Sequence, residues 1–327
     1  MKLPRCLHGH KLVASAAAAA VLGLAILSGG AQSQTTRTIK VIVPYAPGGA
    51  ASVVGRLLAD EITASQRVTT IVENRPGAGS AIGIEAVARA APDGNTLLVA
   101  GAPLLINPLL TKVNYDPLNS VEPICRLTDV PNFLAVNSAL PYRTLNDFIA
   151  TARAKPGQLT LANFTGSGVH LAFEEFKRQA KVDVVYVPYS GSAPAVTALL
   201  GGHIDGILDN FTTIGEHVNA GKLRALATFA PARLEALPHI PTFAEAGYNA
   251  SFVGWWGLFA PTRVPRNTVA ELVRWTTAAM QQPETKQKLA PLGLYPSDTC
   301  GADFSAIVRK QYEDFGRIIR EANIKAE

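Results

Sequence analysis

The sequence predicts an α/β protein of two lobes, each a mostly parallel sheet flanked by helices. Strand-like and helix-like patterns alternate along the chain, as parallel strands joined by crossover helices require. One phrase occurs twice, Val41-Ile-Val-Pro-Tyr45 and Val185-Tyr-Val-Pro-Tyr189, each followed by small residues and then a helical pattern. Beyond its first 31 residues the chain is long enough for about two domains at the usual ~150 residues apiece.

Residues 1–31 read as a secretory signal peptide. Lys2, Arg5 and Lys11 supply a positive start, residues 12–27 an apolar stretch, and Ser28-Gly-Gly-Ala31 small residues suited to cleavage near Ala31. The apolar run falls short of the about 20 residues a spanning helix needs. Cys6 lies in the positive region, not at the cleavage boundary, so no lipid anchor is expected. Cleavage would lower the net charge from +5 to +2, because three Lys/Arg and no Asp/Glu leave. No basic cluster interleaved with aromatics occurs, which argues against nucleic acid as a partner. Periplasmic export leaves Cys125 and Cys300 in an oxidising compartment. An even pair there favours a disulfide, with two buried free thiols as the alternative.

The elements follow in order. Residues 39–43 form a β-branched strand; Pro47-Gly-Gly-Ala-Ala51 leads into a helix with apolar Val53, Val54, Leu57, Leu58 and Ile62, and Ser52 is placed to cap it. Strand 69–72 passes through Asn74-Arg-Pro-Gly-Ala-Gly79 to a helix with Ser80 as cap and Ile84, Val87 and Ala88 inward. Pro92-Asp-Gly94 turns the chain into strand 96–100. A boundary is expected near residues 128–133, followed by strand 133–136, helix 145–154, the Lys155-Pro-Gly157 turn and strand 159–162. The loop Asn163-Phe-Thr-Gly-Ser-Gly168 opens a helix carrying Leu171, Ala172 and Phe176, capped by Ser167. After the second Pro-Tyr strand, Ser192 is read as the cap of a helix with Pro194 in its first turn and Val196, Leu199 and Leu200 inward. Strands 204–208 and 223–229 follow, then two helical patterns, one with Val269, Leu272, Val273 and Met280, the other with Phe304, Ile307, Val308, Phe315, Ile318 and Ile319. These are expected to return to the first lobe, giving lobe I at 32–129 and 228–327 and lobe II at 130–227.

The candidate chemistry is anion binding. Small residues at helix starts let a ligand reach bare backbone amides, where the helix dipole favours negative charge. Tyr45 and Tyr189 either wall a cleft or are ordinary half-buried strand ends, and Asp209, beside Asn210, either reaches that cleft or sits in a solvated turn. The Trp255-Trp-Gly-Leu-Phe259 run reads as core packing. Gly77-Ala-Gly79-Ser-Ala-Ile-Gly83 is one residue too long for a dinucleotide fingerprint and reads as a structural turn. The four histidines beyond the signal, His170, His203, His217 and His239, form no metal-binding spacing, and neither metal nor cofactor is expected. Thr165-Gly-Ser-Gly168 lacks the first glycine of a nucleophile elbow, so no catalytic residue is assigned; an exported hydrolase using Ser167 and His170 is the enzyme alternative.

Seven stretches carry a resemblance over essentially the whole mature chain: Val43-Pro-Tyr-Ala-Pro-Gly-Gly-Ala50, Val72-Glu-Asn-Arg-Pro-Gly-Ala-Gly79, Ala91-Pro-Asp-Gly94, Gly166-Ser-Gly-Val-His-Leu171, Val187-Pro-Tyr-Ser-Gly-Ser-Ala-Pro194, Ala220-Gly-Lys-Leu-Arg-Ala-Leu226 and Pro241-Thr-Phe-Ala-Glu-Ala-Gly247. On these the chain resembles the substrate-binding receptors of tripartite tricarboxylate transporters, the Bordetella uptake gene (Bug) family. The resemblance implies a two-lobed periplasmic binding protein of type II, the Venus flytrap kind. It also implies a protein without catalysis that passes a small carboxylate to membrane transporter subunits; a monomer is expected. A sensory role with a membrane histidine kinase is the alternative partnership. The ligand-binding residues it implies, together with those read from the pattern, are Tyr45, Ala46, Gly48, Gly49, Ala50, Ser52, Thr165, Gly166, Ser167, Gly168, Tyr189, Gly191, Ser192 and Asp209. Family members commonly carry Thr-Asp where this chain has Ala51-Ser52, so the ligand cannot be copied from a relative.

Overall fold

The computed structural model describes Met1 and residues 37–163, 167–189 and 192–325. The signal segment read at 1–31 lies outside them apart from Met1. Strands β1 (Thr38–Val43), β2 (Thr69–Asn74) and β3 (Thr96–Ala100) are parallel in the order β2-β1-β3. Antiparallel β9 (Val253–Pro261) follows β3, then β4 (Val121–Asn137), which also carries the short β10 (Tyr295–Pro296). In the second sheet β5 (Thr160–Asn163), β6 (Val185–Pro188) and β7 (Gly206–Asn210) are parallel, and β4 pairs antiparallel with both β7 and β8 (Leu223–Thr228). Only β9 and β10 in the first sheet, and β4 in the second, run against the common direction.

One strand belongs to both sheets. Residues 121–131 of β4 pair with β9, and residues 132–137 pair with β7 and β8. At about 3.3 Å per residue its 17 residues span roughly 55 Å. The chain passes from the first sheet to the second inside β4 and returns between β8 and β9.

The helices are α1 (Ala50–Gln66), α2 (Ala81–Ala88), α3 (Pro103–Leu110), α4 (Leu145–Ala154), α5 (Gly168–Ala180), α6 (Ser192–Leu200), α7 (Phe211–Asn219), α8 (Arg266–Gln281), α9 (Pro283–Leu289) and α10 (Gly301–Glu321). Alternation in β1 sends Ile39, Val41 and Val43 to the face packed by Val54 and Leu58 of α1 and by Leu272 and Met280 of α8. Ile42 faces the opposite core. That core runs through both lobes, from Ile84 of α2 and Phe304 and Phe315 of α10 to Phe148 of α4 and Phe173 and Phe176 of α5. Ala195 and Leu199 of α6 and Ile214 of α7 close the other face of the second sheet. The start of α4 is held by a reciprocal box: Asp147 N–H donates to Thr144 Oγ1 at 3.1 Å, and Thr144 N–H donates to Asp147 Oδ2 at 2.9 Å.

Three expected caps are corrected. Helix α1 starts at Ala50 with Gly49 as its N-cap, so Ser52 lies inside the first turn, buried, where its hydroxyl accepts from the Asn74 side chain. Ser80 precedes α2 with φ 81° and bonds no helix amide. Ser192 is the first residue of α6, one position too late to be the cap. The sequence pattern does not predict helices α3, α7 and α9. Cys125 on β4 and Cys300, the N-cap residue of α10, form a disulfide with S–S 2.03 Å.

Candidate functional site

In sheets of parallel strands, ligands bind beyond the carboxyl ends, where loops feed helix starts. In the first lobe that edge holds the loop after β1, residues 44–49, and Gly101 after β3. In the second it holds Ser167 after β5, Tyr189 after β6, and Asp209 with Asn210 closing β7. Helices α1, α2, α3, α5, α6 and α7 begin there, and none carries an acidic residue in its first turn. Of the helices that start elsewhere, α4, α9 and α10 carry Asp147, Glu284 and Asp303, and α8 carries none. The six strand-end helices therefore keep the partial positive charge of their starts free of a first-turn carboxylate.

The first loop is open backbone. Ala46, Gly48 and Gly49 are exposed, and Gly48 takes φ 89°, a conformation glycine adopts without a Cβ clash. Ala50 is half-buried at the helix start. The loop is anchored by Asn74, whose side-chain amide donates to the Tyr45 carbonyl at 2.9 Å and to Ser52 Oγ. The Tyr45 hydroxyl is buried. The phenol turns inward beside Ser80 and Gly101, burial pushes it up to about 12, and the ring meets Trp256 edge-on at 5.1 Å. Ser80 belongs to a run of four positive-φ residues, Gly77 to Ser80, so this support is locally strained. Of the two adjacent tryptophans, Trp255 is core, set at a right angle to Phe304, whereas half-buried Trp256 stands by the strand ends with an unbonded Nε1.

In the second lobe Ser167 caps α5, its hydroxyl accepting from His170 N–H at 3.2 Å. Gly168 follows beneath Phe252: a Cβ there would stand 2.1 Å from Phe252 Cζ. The His170 ring is buried against Tyr186 at 4.9 Å, with Nε2 3.7 Å from Glu174 Oε1. Glu174 is opposed by burial, yet the neighbouring His170 and Tyr186 side chains and the Lys177 charge and hydrogen bond bring it down to about 2. Tyr189 is half-buried and packs on the second-sheet core. Thr165, Gly166 and Gly191 lie outside the described residues.

Asp209 is buried at 5% exposure. Its Oδ1 accepts from Asn210 N–H at 2.7 Å and from Asn210 Nδ2 at 3.1 Å, while Oδ2 has no hydrogen bond. Burial raises it to about 6; Ser192, the Asn210 amide and Thr213 pull the other way. The solvated-turn reading of Asp209 is thereby replaced by a buried carboxylate between the starts of α6 and α7.

A model of the tripartite tricarboxylate transporter family receptor matches residues 54–324. The chain belongs to this family. Protein BugT of Bordetella pertussis is 33% identical over 318 residues, covering 94% of this chain and 97% of that protein. The solved periplasmic binding protein BugD is 30% identical with TM-score 0.76, over 89% of this chain and 99% of that one. Rpa4515 of R. palustris, solved with adipate, is 28% identical with TM-score 0.79 over 89% and 99%. MatC of Rhodopseudomonas palustris, with bound malate, is 30% identical with TM-score 0.73 over 87% and 99%.

The tripartite tricarboxylate receptors are two-lobed solute-binding proteins rather than enzymes, and the Ser167 hydroxyl of this receptor serves as a cap instead of a nucleophile. Glu174, one turn beyond His170 along α5, stands 3.7 Å from its Nε2. Asn74, Trp256 and Thr213 were missed; Asn74 alone had a signal, following a strand in the same stretch that carried the resemblance. A cavity of about 510 Å³ lies between α5 and α10, lined among others by Gly168, Phe252, Lys310 and Phe315. Among the described residues no group of His, Cys, Asp and Glu is placed to hold a metal, and no helix is long and apolar enough to cross a membrane.

Proposed function

We propose that this receptor is exported to the periplasm, captures a small carboxylate at the facing strand ends of its two lobes, and delivers it to the membrane subunits of a tripartite tricarboxylate-type transporter. Lobe I is assigned to 32–129 and 228–327 and lobe II to 130–227, with the ligand contacts at the residues named from the sequence. The observation that carries the reading is the set of six strand-end helices without a first-turn acid. The adipate and malate held by two relatives support the ligand class. Each helix start contributes about 0.3–1 kcal/mol toward a carboxylate and each charge-assisted hydrogen bond about 1.5–3 kcal/mol before entropy costs. Three or four such contacts reach roughly −8 kcal/mol, a micromolar affinity.

The test is a thermal-shift screen of the mature chain against aliphatic, aromatic and amino-acid carboxylates with neutral sugars as controls. A ligand at about 100 times its dissociation constant adds about 2.7 kcal/mol. The companion variant is Gly49→Val. A Cβ at Gly49 has its nearest neighbour, the Ala46 carbonyl, at 3.9 Å, and φ is −77°, so the fold accommodates the side chain while the amides behind it become inaccessible. Loss of binding with an intact melting transition supports the site; a folded variant with unchanged affinity removes the first loop from it.

A further inference from the structure

Asp209 is the penultimate residue of β7, with Phe133 opposite it on β4, one residue past the point at which β4 changes sheets. Its neighbours are Ser192, first residue of α6, and Thr213 in the first turn of α7. Asn210 N–H and Nδ2 occupy Oδ1, whereas Oδ2 of Asp209 and Oδ1 of Asn210 are both buried without a hydrogen-bond partner. Among the described residues no Lys, Arg or His is paired with Asp209. Two buried acceptors lacking donors lie at an edge otherwise composed of helix starts that attract anions. A second carboxylate placed against them would add acceptors and like charge; a hydroxyl or an ammonium would supply what they lack.

We propose that Asp209 and Asn210 form a donor-seeking subsite in lobe II, so that this receptor selects carboxylates bearing a hydroxyl or amino group over the unsubstituted acids of the same skeleton. The inference rests on the carboxylate reading above and narrows it to hydroxy and amino acids. A site built to hydrogen-bond a substrate donor rejects the analogue lacking it, because its own polar groups are then left unpaired.

The experiment is calorimetric titration of matched sets: succinate, malate and aspartate; glutarate, 2-hydroxyglutarate and glutamate; propionate, lactate and alanine; 3-phenylpropionate, phenyllactate and phenylalanine. For whichever skeleton binds, a donor-bearing member is expected to bind at least about tenfold more tightly than the bare acid. Asp209→Asn, checked for a cooperative melt, should reduce that preference to within about threefold, with the amino acid losing most because it also loses an opposite charge. A bare acid that binds the parent protein as tightly as its substituted partners overturns the proposal, whether or not the variant folds. So does a folded Asp209→Asn that keeps the full preference. Absence of binding by every acid in every set instead overturns the carboxylate reading, and this inference falls with it.

Discussion

Asn74 ties its own strand end to the neighbouring one: its side-chain amide donates to the Tyr45 carbonyl at 2.9 Å and to the Ser52 hydroxyl inside the first turn of α1. The loop between those two acceptors is the exposed Gly48-Gly49 backbone, so Asn74 sets where its amides point. Asn74→Ala should cost about 1–3 kcal/mol by leaving a carbonyl and a buried hydroxyl without a donor. Ligand affinity should fall with it. Denaturant unfolding and calorimetry together check this, and a variant unchanged in both would show that the loop keeps its shape without the tie.

Asp209 makes stability depend on pH. Burial lifts its carboxyl from 3.8 to about 6 in the folded chain, so the folded state holds the proton more firmly than the unfolded one. Its contribution is complete below about pH 4 and is lost as pH rises through about 6, by an amount on the order of 2–3 kcal/mol. Asp209→Asn should therefore be more stable than the parent at about pH 8 and show a flatter profile between those two values. A variant less stable than the parent at the higher pH would reverse the sign and identify the ionised form as the favoured one.

The contact of Gly168 with Phe252 admits no methyl group, since a Cβ would stand 2.1 Å from Cζ and 2.5 Å from Cε2. Both residues line the cavity between α5 and α10, which gives the ring somewhere to move. Gly168→Ala should cost about 1 kcal/mol, at the low end of overpacking penalties. Phe252→Leu in the same chain should recover most of it. A double-mutant cycle measures the coupling, and additive effects would mean the strain is relieved elsewhere.

The Cys125–Cys300 disulfide links the first part of β4 to the start of α10 across 175 residues of sequence. Closing so long a loop in the unfolded chain corresponds to about 5 kcal/mol in the chain-entropy model, with about 2–4 kcal/mol typical in practice. Replacing both cysteines by serine should lower the unfolding midpoint by a corresponding amount, and reductant should lower the parent in the same way while leaving the double variant unmoved. Equal midpoints with and without reductant in the parent would show that the bridge does not stabilise the fold.

The parts of this receptor that follow from neighbours in sequence could be read before the fold was seen. Strand β3 at 96–100 and helix α4 at 145–154 appear where alternation and helical spacing put them, and Ser167 caps α5 as its position beside a Gly indicated. Longer motifs carried the family. Prolines hid two elements, because Pro131 broke the reading of β4 and Pro108 that of α3, although both chains continue through them. Helix α7 carries Phe211, Ile214 and Val218 at helical spacing, but over only nine residues that include Thr212, Thr213 and Gly215. The partners of the polar groups were not legible at all. Ser52 finds Asn74, 22 residues away, and Ser192 comes to lie beside Asp209. A hydroxyl bonds whatever lies within about 3 Å of it, and for a buried one that neighbour arrives from a distant segment only when the sheets have closed. The same holds for the charge state of Asp209: its side chain is written in the sequence, but the removal of water that raises its carboxyl belongs to the packing of α6 and α7 around the end of β7.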